Sequence, residues 1–223
     1  MPSAASEPRG TAAPLVGVLA LQGDFADHEA ALGACGLRTR QVRTPRDLDG
    51  VEALVLPGGE STTMLRLLKV EGLWSPLRAA LDSGVPVLAT CAGLILLAQQ
   101  VENPRQDSFG ILPLQVVRNG YGRQYHSGTF PLAVESDELP EALEGTFIRA
   151  PRIESVLGDC EVLARRGGDP VLVRKGRVLA ACFHPELSAG HPVTRMFADD
   201  VRAASSAPQP RRGAPQAAAA AGA

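Results

Sequence analysis

The sequence predicts an α/β fold, with a mostly parallel central sheet flanked by helices and extra antiparallel strands in the second half. Three observations predict it. Short, continuous apolar runs alternate with helix-like segments through the first hundred or so positions, the texture of βαβ units whose strands are covered on both faces. Beyond Gln100 the pattern changes to short β-like pieces divided by Gly-rich turns, which favour antiparallel pairing. The chain is 223 residues long and 45% hydrophobic, enough to bury one proper core.

Residues 1–13 are Ala, Ser and Pro without periodicity and predict a disordered extension, so a single domain is expected over 14–203. Leu15 to Leu21 is an apolar run suited to a buried strand. Gln22-Gly23-Asp24 then turns the chain, and Asp24 can cap a helix through Phe25, Leu32 and Ala34 that stops at Gly36. Leu37 to Val42 is a second strand, closed by Thr44-Pro45, and Ala53 to Leu56 a third, ending at Pro57-Gly58-Gly59. Ser61 is placed to cap a helix from Thr62 to about Lys69, and another helix, Leu73 to Leu81, precedes Ser83-Gly84. Val85 to Leu88 is a strand that breaks into the small residues Ala89-Thr90-Cys91-Ala92-Gly93, and a helix is expected from there through Gln99 and Gln100.

Five β-like pieces follow: Gln115 to Arg118, Thr129 to Val134, Phe147 to Ile148, Glu161 to Ala164 and Val171 to Arg174. Val178 to Phe183 is an apolar run ending in His184-Pro185-Glu186, and Val193 to Ala203 forms a last helix. From 204 to 223 the chain is low-complexity, Ala- and Pro-rich, and predicts a disordered tail.

Composition excludes several functions. A net charge of −2, from 22 basic and 24 acidic residues, offers no footprint for nucleic acid or an anionic membrane. No apolar run approaches the ~20 residues that span a bilayer. Cys35, Cys91, Cys160 and Cys182 form no CxxC pair and have no zinc-like spacing, so a reduced, cytoplasmic protein without a metal site is expected.

The strand–turn–helix around Cys91 has the shape of a nucleophile elbow, which needs small neighbours because the backbone folds tightly there. A thiol near a helix N-terminus is favoured as thiolate, the form that attacks carbonyls. A buried core cysteine fits these residues equally well. Of the four histidines, His28 sits between Asp27 and Glu29 and is expected on a solvated face, while His126 and His191 fall in loops. His184 ends a strand, where catalytic groups of parallel sheets gather. Glu186 lies two residues on and, in an extended segment, projects to the same side ~6.6 Å away, where it can orient the imidazole. Gly58 and Gly59 follow a parallel strand on the same rim, so their N–H groups, with that of Ala92, are candidates for an oxyanion hole. An ordinary Gly-rich turn is the alternative, and no Lys follows to make it a Walker loop.

Taken together, GVLALQG (Gly17 to Gly23), LPGGESTT (Leu56 to Thr63), TCAGLI (Thr90 to Ile95), RNGYGRQ (Arg118 to Gln124), FIRAP (Phe147 to Pro151) and HPEL (His184 to Leu187) resemble class I, triad-type glutamine amidotransferases. The finer resemblance is to the glutaminase subunits of pyridoxal 5′-phosphate synthase, over roughly residues 14–203. The resemblance implies a flavodoxin-like sheet, with Cys91 as nucleophile, His184 as proton shuttle and Glu186 as its orienting acid. It implies that Gly59, Glu60, Ser61, Arg118, Ile148 and Arg149 bind L-glutamine, and that no cofactor is held. It further implies a synthase subunit as partner, which receives the ammonia and completes the oxyanion hole through the Gly58–Gly59 peptide. Ala89, where the family usually has Gly, and Ser127-Gly128 depart from the pattern. Two rival classes remain at this point: another cysteine-elbow protein acting on peptides or as a redox sensor, and a non-catalytic subunit that keeps the fold.

Overall fold

The computed structural model describes residues 13–121 and 127–206. The expectations for the 1–12 extension, for the tail from 207 and for His126 lie outside the described residues.

Apolar β-branched and leucine-rich runs form the buried centre. β1 (Leu15–Leu19) is followed by α1 (Phe25–Ala34), β2 (Arg38–Val42), β3 (Ala53–Leu56), α2 (Ser61–Val70), α3 (Trp74–Asp82), β4 (Val87–Thr90) and α4 (Ala92–Leu97). β1, β3 and β4 are buried along their whole length, as strands covered by helices on both faces must be. The second half holds β5 (Ala98–Glu102), β6 (Leu112–Val117), β7 (Gly128–Val134), β8 (Leu143–Phe147), β9 (Arg152–Val156), β10 (Glu161–Arg166), β11 (Asp169–Lys175), β12 (Val178–Ala181) and α5 (Pro192–Ser206). Nine strands make one sheet in the order β2-β1-β3-β4-β12-β11-β10-β7-β8. The first five of that list run parallel, and β11, β10, β7 and β8 extend them antiparallel. A smaller sheet, β5-β6-β9, stands apart.

The sheet decides where the chemistry falls. Leu56 pairs with Ala89, and Ala181 with Thr90, so β3, β4 and β12 end side by side. The segments leaving those ends carry Gly58-Gly59, Cys91 and His184, and the turn after β1 carries Gln22-Gly23-Asp24. Ligands of parallel α/β sheets bind at this edge.

Four expectations are corrected. The helix after Cys91 ends at Leu97, because Ala98 turns extended (ψ 150°) and Ala98–Glu102 pairs with β6 as a strand. Leu, Ala and Gln favour a helix there, but ladder pairing outweighs intrinsic propensity. Neither β5 nor β9 is apparent in the sequence. Asp24 occupies the N-cap of α1 without a side-chain cap bond, and α2 is capped by Glu60 rather than Ser61, with the Thr63 N–H donating to the Glu60 carboxylate. Finally, α5 runs to Ser206, past the boundary expected at 203. No helix among the described residues is long and apolar enough to cross a membrane.

Candidate active site

Cys91 lies at the apex of a strained turn. Its φ of 47° and ψ of −101° fall where non-glycine residues are rarely found, at a cost of about 1–3 kcal/mol that the surroundings must hold in place. They do so through backbone contacts on both sides. The Cys91 N–H donates to the Ala181 carbonyl at 2.8 Å, and the Gly93 N–H donates to the Pro57 carbonyl at 3.1 Å. Gly93 lets α4 approach the end of β3, because a Cβ there would strike the Leu56 carbonyl oxygen. Ala89 fits, fully buried in β4. The thiol makes one weak contact, to the Ile148 carbonyl at 4.0 Å.

His184 leaves β12 with its N–H bonded to the Thr146 carbonyl at 2.9 Å. Its Nδ1 and Glu186 Oε1 are 2.7 Å apart, both side chains being buried. The expected contact is therefore present, but its route differs: Pro185–Leu187 is a 3₁₀ turn rather than an extended segment, and the turn folds Glu186 back onto the ring. With Nδ1 so engaged, Nε2 is buried without a hydrogen-bond partner among the described residues. Burial pushes the His184 pKa down, but the nearby Cys91 thiol and the hydrogen bond to Glu186 outweigh it and raise the value to about 10. Burial likewise pushes Glu186 up, and its bond to His184 and the proximity of His28 bring it below the ordinary carboxylate value.

His28, expected on a solvated face, is buried instead. Its Nε2 lies 3.0 Å from Thr90 Oγ1 and 3.3 Å from Glu186 Oε2, and burial lowers its pKa, so the ring is neutral. A helical stripe of Phe25, His28 and Leu32 was the available signal, since this spacing places His28 on the apolar face. Asp24 Oδ2 stands 3.4 Å from His184 Nδ1. Asp24, His184 and Glu186 bring potential metal ligands within 4.8 Å of one another. Nδ1 is already committed to Glu186 Oε1, so the cluster is an oriented imidazole rather than a metal cradle.

The Pro57-Gly58-Gly59 loop passes directly over the ring. A Cβ on Gly58 would strike the His184 imidazole, so no side chain fits there. The Gly58 carbonyl accepts from the Asp24 N–H at 3.3 Å, and Gln22 Oε1 accepts from the Glu60 N–H at 2.7 Å. Glu60 divides its oxygens: one caps Thr63 at 2.9 Å, the other pairs with Arg118 at 2.7 Å. Ser61 Oγ donates to Gln106 Oε1 at 3.0 Å. Arg149, with φ 44°, is exposed and makes no ion pair among the described residues.

These groups line one cleft of about 310 Å³, at the small end of the ~300–1,000 Å³ usual for ligand pockets. Cys91, His184, Gly59, Glu60, Ser61, Arg118, Ile148 and Arg149 all face it. Gly58, Ala92 and Glu186 are buried and do not line it. Gln22, Gly23, Asp24, Ile95 and Asn119 also line it and were not singled out from the sequence. Gln22 to Asp24 could have been found by the rim rule alone, since they leave the carboxyl end of β1.

The geometry agrees with known proteins. The description "SNO glutamine amidotransferase family" matches residues 18–203. The chain belongs to that family. It is 49% identical over 192 residues to the pyridoxal 5′-phosphate synthase subunit PdxT of Streptomyces coelicolor, covering 85% of this chain and 95% of that protein. It is 44% identical to the PdxT subunit of Thermotoga neapolitana, covering 84% and 99%. Among solved structures, one described as a glutamine amidotransferase superimposes with a TM-score of 0.77 at 42% identity, covering 84% of this chain and 98% of that one. A chain of PurLQS from Thermotoga maritima shares the fold at 18% identity, with a TM-score of 0.61 and coverage of 86% and 98%. Within the SNO family member described here, the cleft and the Cys91 elbow fall inside the matched span.

Proposed function

We propose that this chain hydrolyses the side-chain amide of L-glutamine to glutamate and ammonia, and passes the ammonia to a synthase subunit that builds pyridoxal 5′-phosphate. Family membership and the PdxT relatives support the reaction and the partner. One observation carries the assignment of roles: His184 has Nδ1 bound to Glu186 and a buried Nε2, without a hydrogen-bond partner among the described residues, in the same cleft as Cys91.

In this reading His184, its pKa raised to about 10, already holds on Nε2 the proton taken from Cys91, and the sulfur attacks the amide carbon. The tetrahedral oxyanion is met by N–H groups of Gly59 and Ala92, with the Gly58–Gly59 peptide setting the direction of the first. His184 then protonates the leaving nitrogen, ammonia departs, and a glutamyl thioester remains on Cys91. Water attacks the thioester carbonyl, giving its proton to Nε2, and glutamate leaves as the thiolate is restored. Glu186 stabilises the imidazolium at both proton transfers. The substrate's α-carboxylate pairs with Arg118 or Arg149, and its ammonium with Glu60, which would then give up part of its bond to Arg118. Ser61 and the Ile148 carbonyl border the same space. The four free cysteines support a reducing, cytoplasmic setting.

The test is glutamine turnover by the chain alone and with the synthase subunit. Glutamate release that requires Cys91 and rises with the partner supports the proposal. Hydrolysis of peptides with no action on glutamine would replace it with the protease-like alternative.

A further inference from the structure

Besides the triad, α1 buries one polar side chain that the proposed mechanism leaves unused. His28 is 1% exposed and shares the buried face of α1 with Leu32. Its Nε2 is 3.3 Å from Glu186 Oε2 and 3.0 Å from Thr90 Oγ1. The Glu186 side chain is wholly buried, Oε1 is taken by His184, and Oε2 accepts no well-directed hydrogen bond among the described residues. His28 Nε2 approaches it at 3.3 Å without a well-directed hydrogen bond, so the contact is one of dipole and charge. Thr90 is the last residue of β4 and immediately precedes Cys91. One imidazole thus touches both the acid of the triad and the strand end that carries the nucleophile.

Chemistry also fixes which form of His28 is present. A neutral ring has one N–H. Placed on Nδ1, it would leave a lone pair of Nε2 facing a carboxylate oxygen, a repulsive contact in a buried setting. Placed on Nε2, it bonds to Thr90 and turns its positive end toward the Glu186 carboxylate. An apolar side chain would fill the space without the desolvation that an imidazole suffers. Its presence is explained if the carboxylate needs a second hold.

We propose that His28 is a positioning residue: it anchors Glu186 through Oε2, so that Oε1 stays aimed at His184, and ties this anchor to Thr90 beside Cys91. The proposal rests on the reading of Glu186 as the partner that orients His184.

The test measures kcat and KM for glutamine in the complex with the synthase subunit, for His28→Leu, His28→Gln, Glu186→Gln and the double variant His28→Leu/Glu186→Gln. Removing a polar partner from a buried charged group corresponds to roughly 10- to 100-fold in rate, so His28→Leu is expected to lower kcat by about that factor with KM within about threefold. Gln at this position reaches out with an amide N–H and should restore most of the rate. In the Glu186→Gln background, His28→Leu should cost less than about twofold further, because the anchor has nothing left to hold. A loss of equal size in both backgrounds, or wild-type kcat in His28→Leu, would overturn the proposal. If the Leu variant fails to fold by circular dichroism, His28→Met set against His28→Gln carries the same comparison. Wild-type activity in Glu186→Gln alone would instead remove the triad reading, and this inference with it.

Discussion

At the scale of single residues, the chemistry depends on three side chains whose neighbours make them different from others of their kind. Four cysteines are present, yet only Cys91 sits on a strained turn opening into the cleft. Cys182 is buried, which pushes its thiol pKa up, and burial raises Cys160 to about 11. A glutamine-directed electrophile should therefore label Cys91 and spare Cys35, Cys160 and Cys182, and Cys91→Ala should abolish hydrolysis with an unchanged circular dichroism spectrum. Mass spectrometry of the labelled peptides reads the first outcome, and label spread over all four would contradict the elbow. Glu186→Gln should keep His184 seated but lower kcat by about 10²-fold or more, because an amide cannot stabilise the imidazolium. The same variant carries a pH signature. The His184 pKa is raised from 6.5 to about 10, so the stability of its protonated form is full below pH 6.5 and lost as pH rises through about 10. Removing the Glu186 charge weakens that shift, so Tm should fall less over this window in Glu186→Gln than in the wild type. A parallel fall in both proteins would mean that the carboxylate does not hold the ring's charge.

At the scale of elements, glycines decide how closely the segments approach. Gly93 brings α4 against the Leu56 carbonyl, and Gly93→Ala should cost about 1–3 kcal/mol in urea unfolding through overpacking. Gly58→Ala pushes on the His184 ring instead, and displacing that ring should lower kcat by about 10²-fold, with a smaller loss of stability. A Gly58→Ala enzyme of normal kcat would mean that the loop can yield without moving the imidazole. The parallel half of the sheet, the elbow and the strand end that carries His184 were legible because each depends on local pattern: buried runs, small residues and a strand end. What was not legible depends on distant partners. Ala98–Glu102 is a strand only because β6 lies beside it. Glu60 caps α2 in place of Ser61, which is the first residue inside the helix and bonds to Gln106. His28 looked solvated from its charged neighbours, while the stripe it shares with Phe25 and Leu32 put it inside.

At the scale of the whole molecule, one rim gathers the ends of β1, β3, β4 and β12, so four separate stretches of sequence meet in one cleft. The antiparallel strands beyond β12 add Ile148 and Arg149, which follow β8 and close the far side. An enzyme built to feed ammonia to a partner should act little by itself. Docking of the synthase subunit is expected to raise kcat more than it lowers KM, since an oxyanion donor acts on the transition state rather than on bound glutamine. Steady-state kinetics with and without the partner test this, and a change confined to KM would count against it. The central claim is that glutamine passes through a covalent intermediate on Cys91. Its most direct test is to mix the synthase complex with isotopically labelled glutamine, quench in acid within a single turnover, and map the peptides by mass spectrometry. The account predicts a glutamyl thioester on the Cys91 peptide alone, cleaved by hydroxylamine and absent from Cys91→Ala. Glutamate formed at the normal rate by Cys91→Ala, or a glutamyl adduct on another residue, would contradict it.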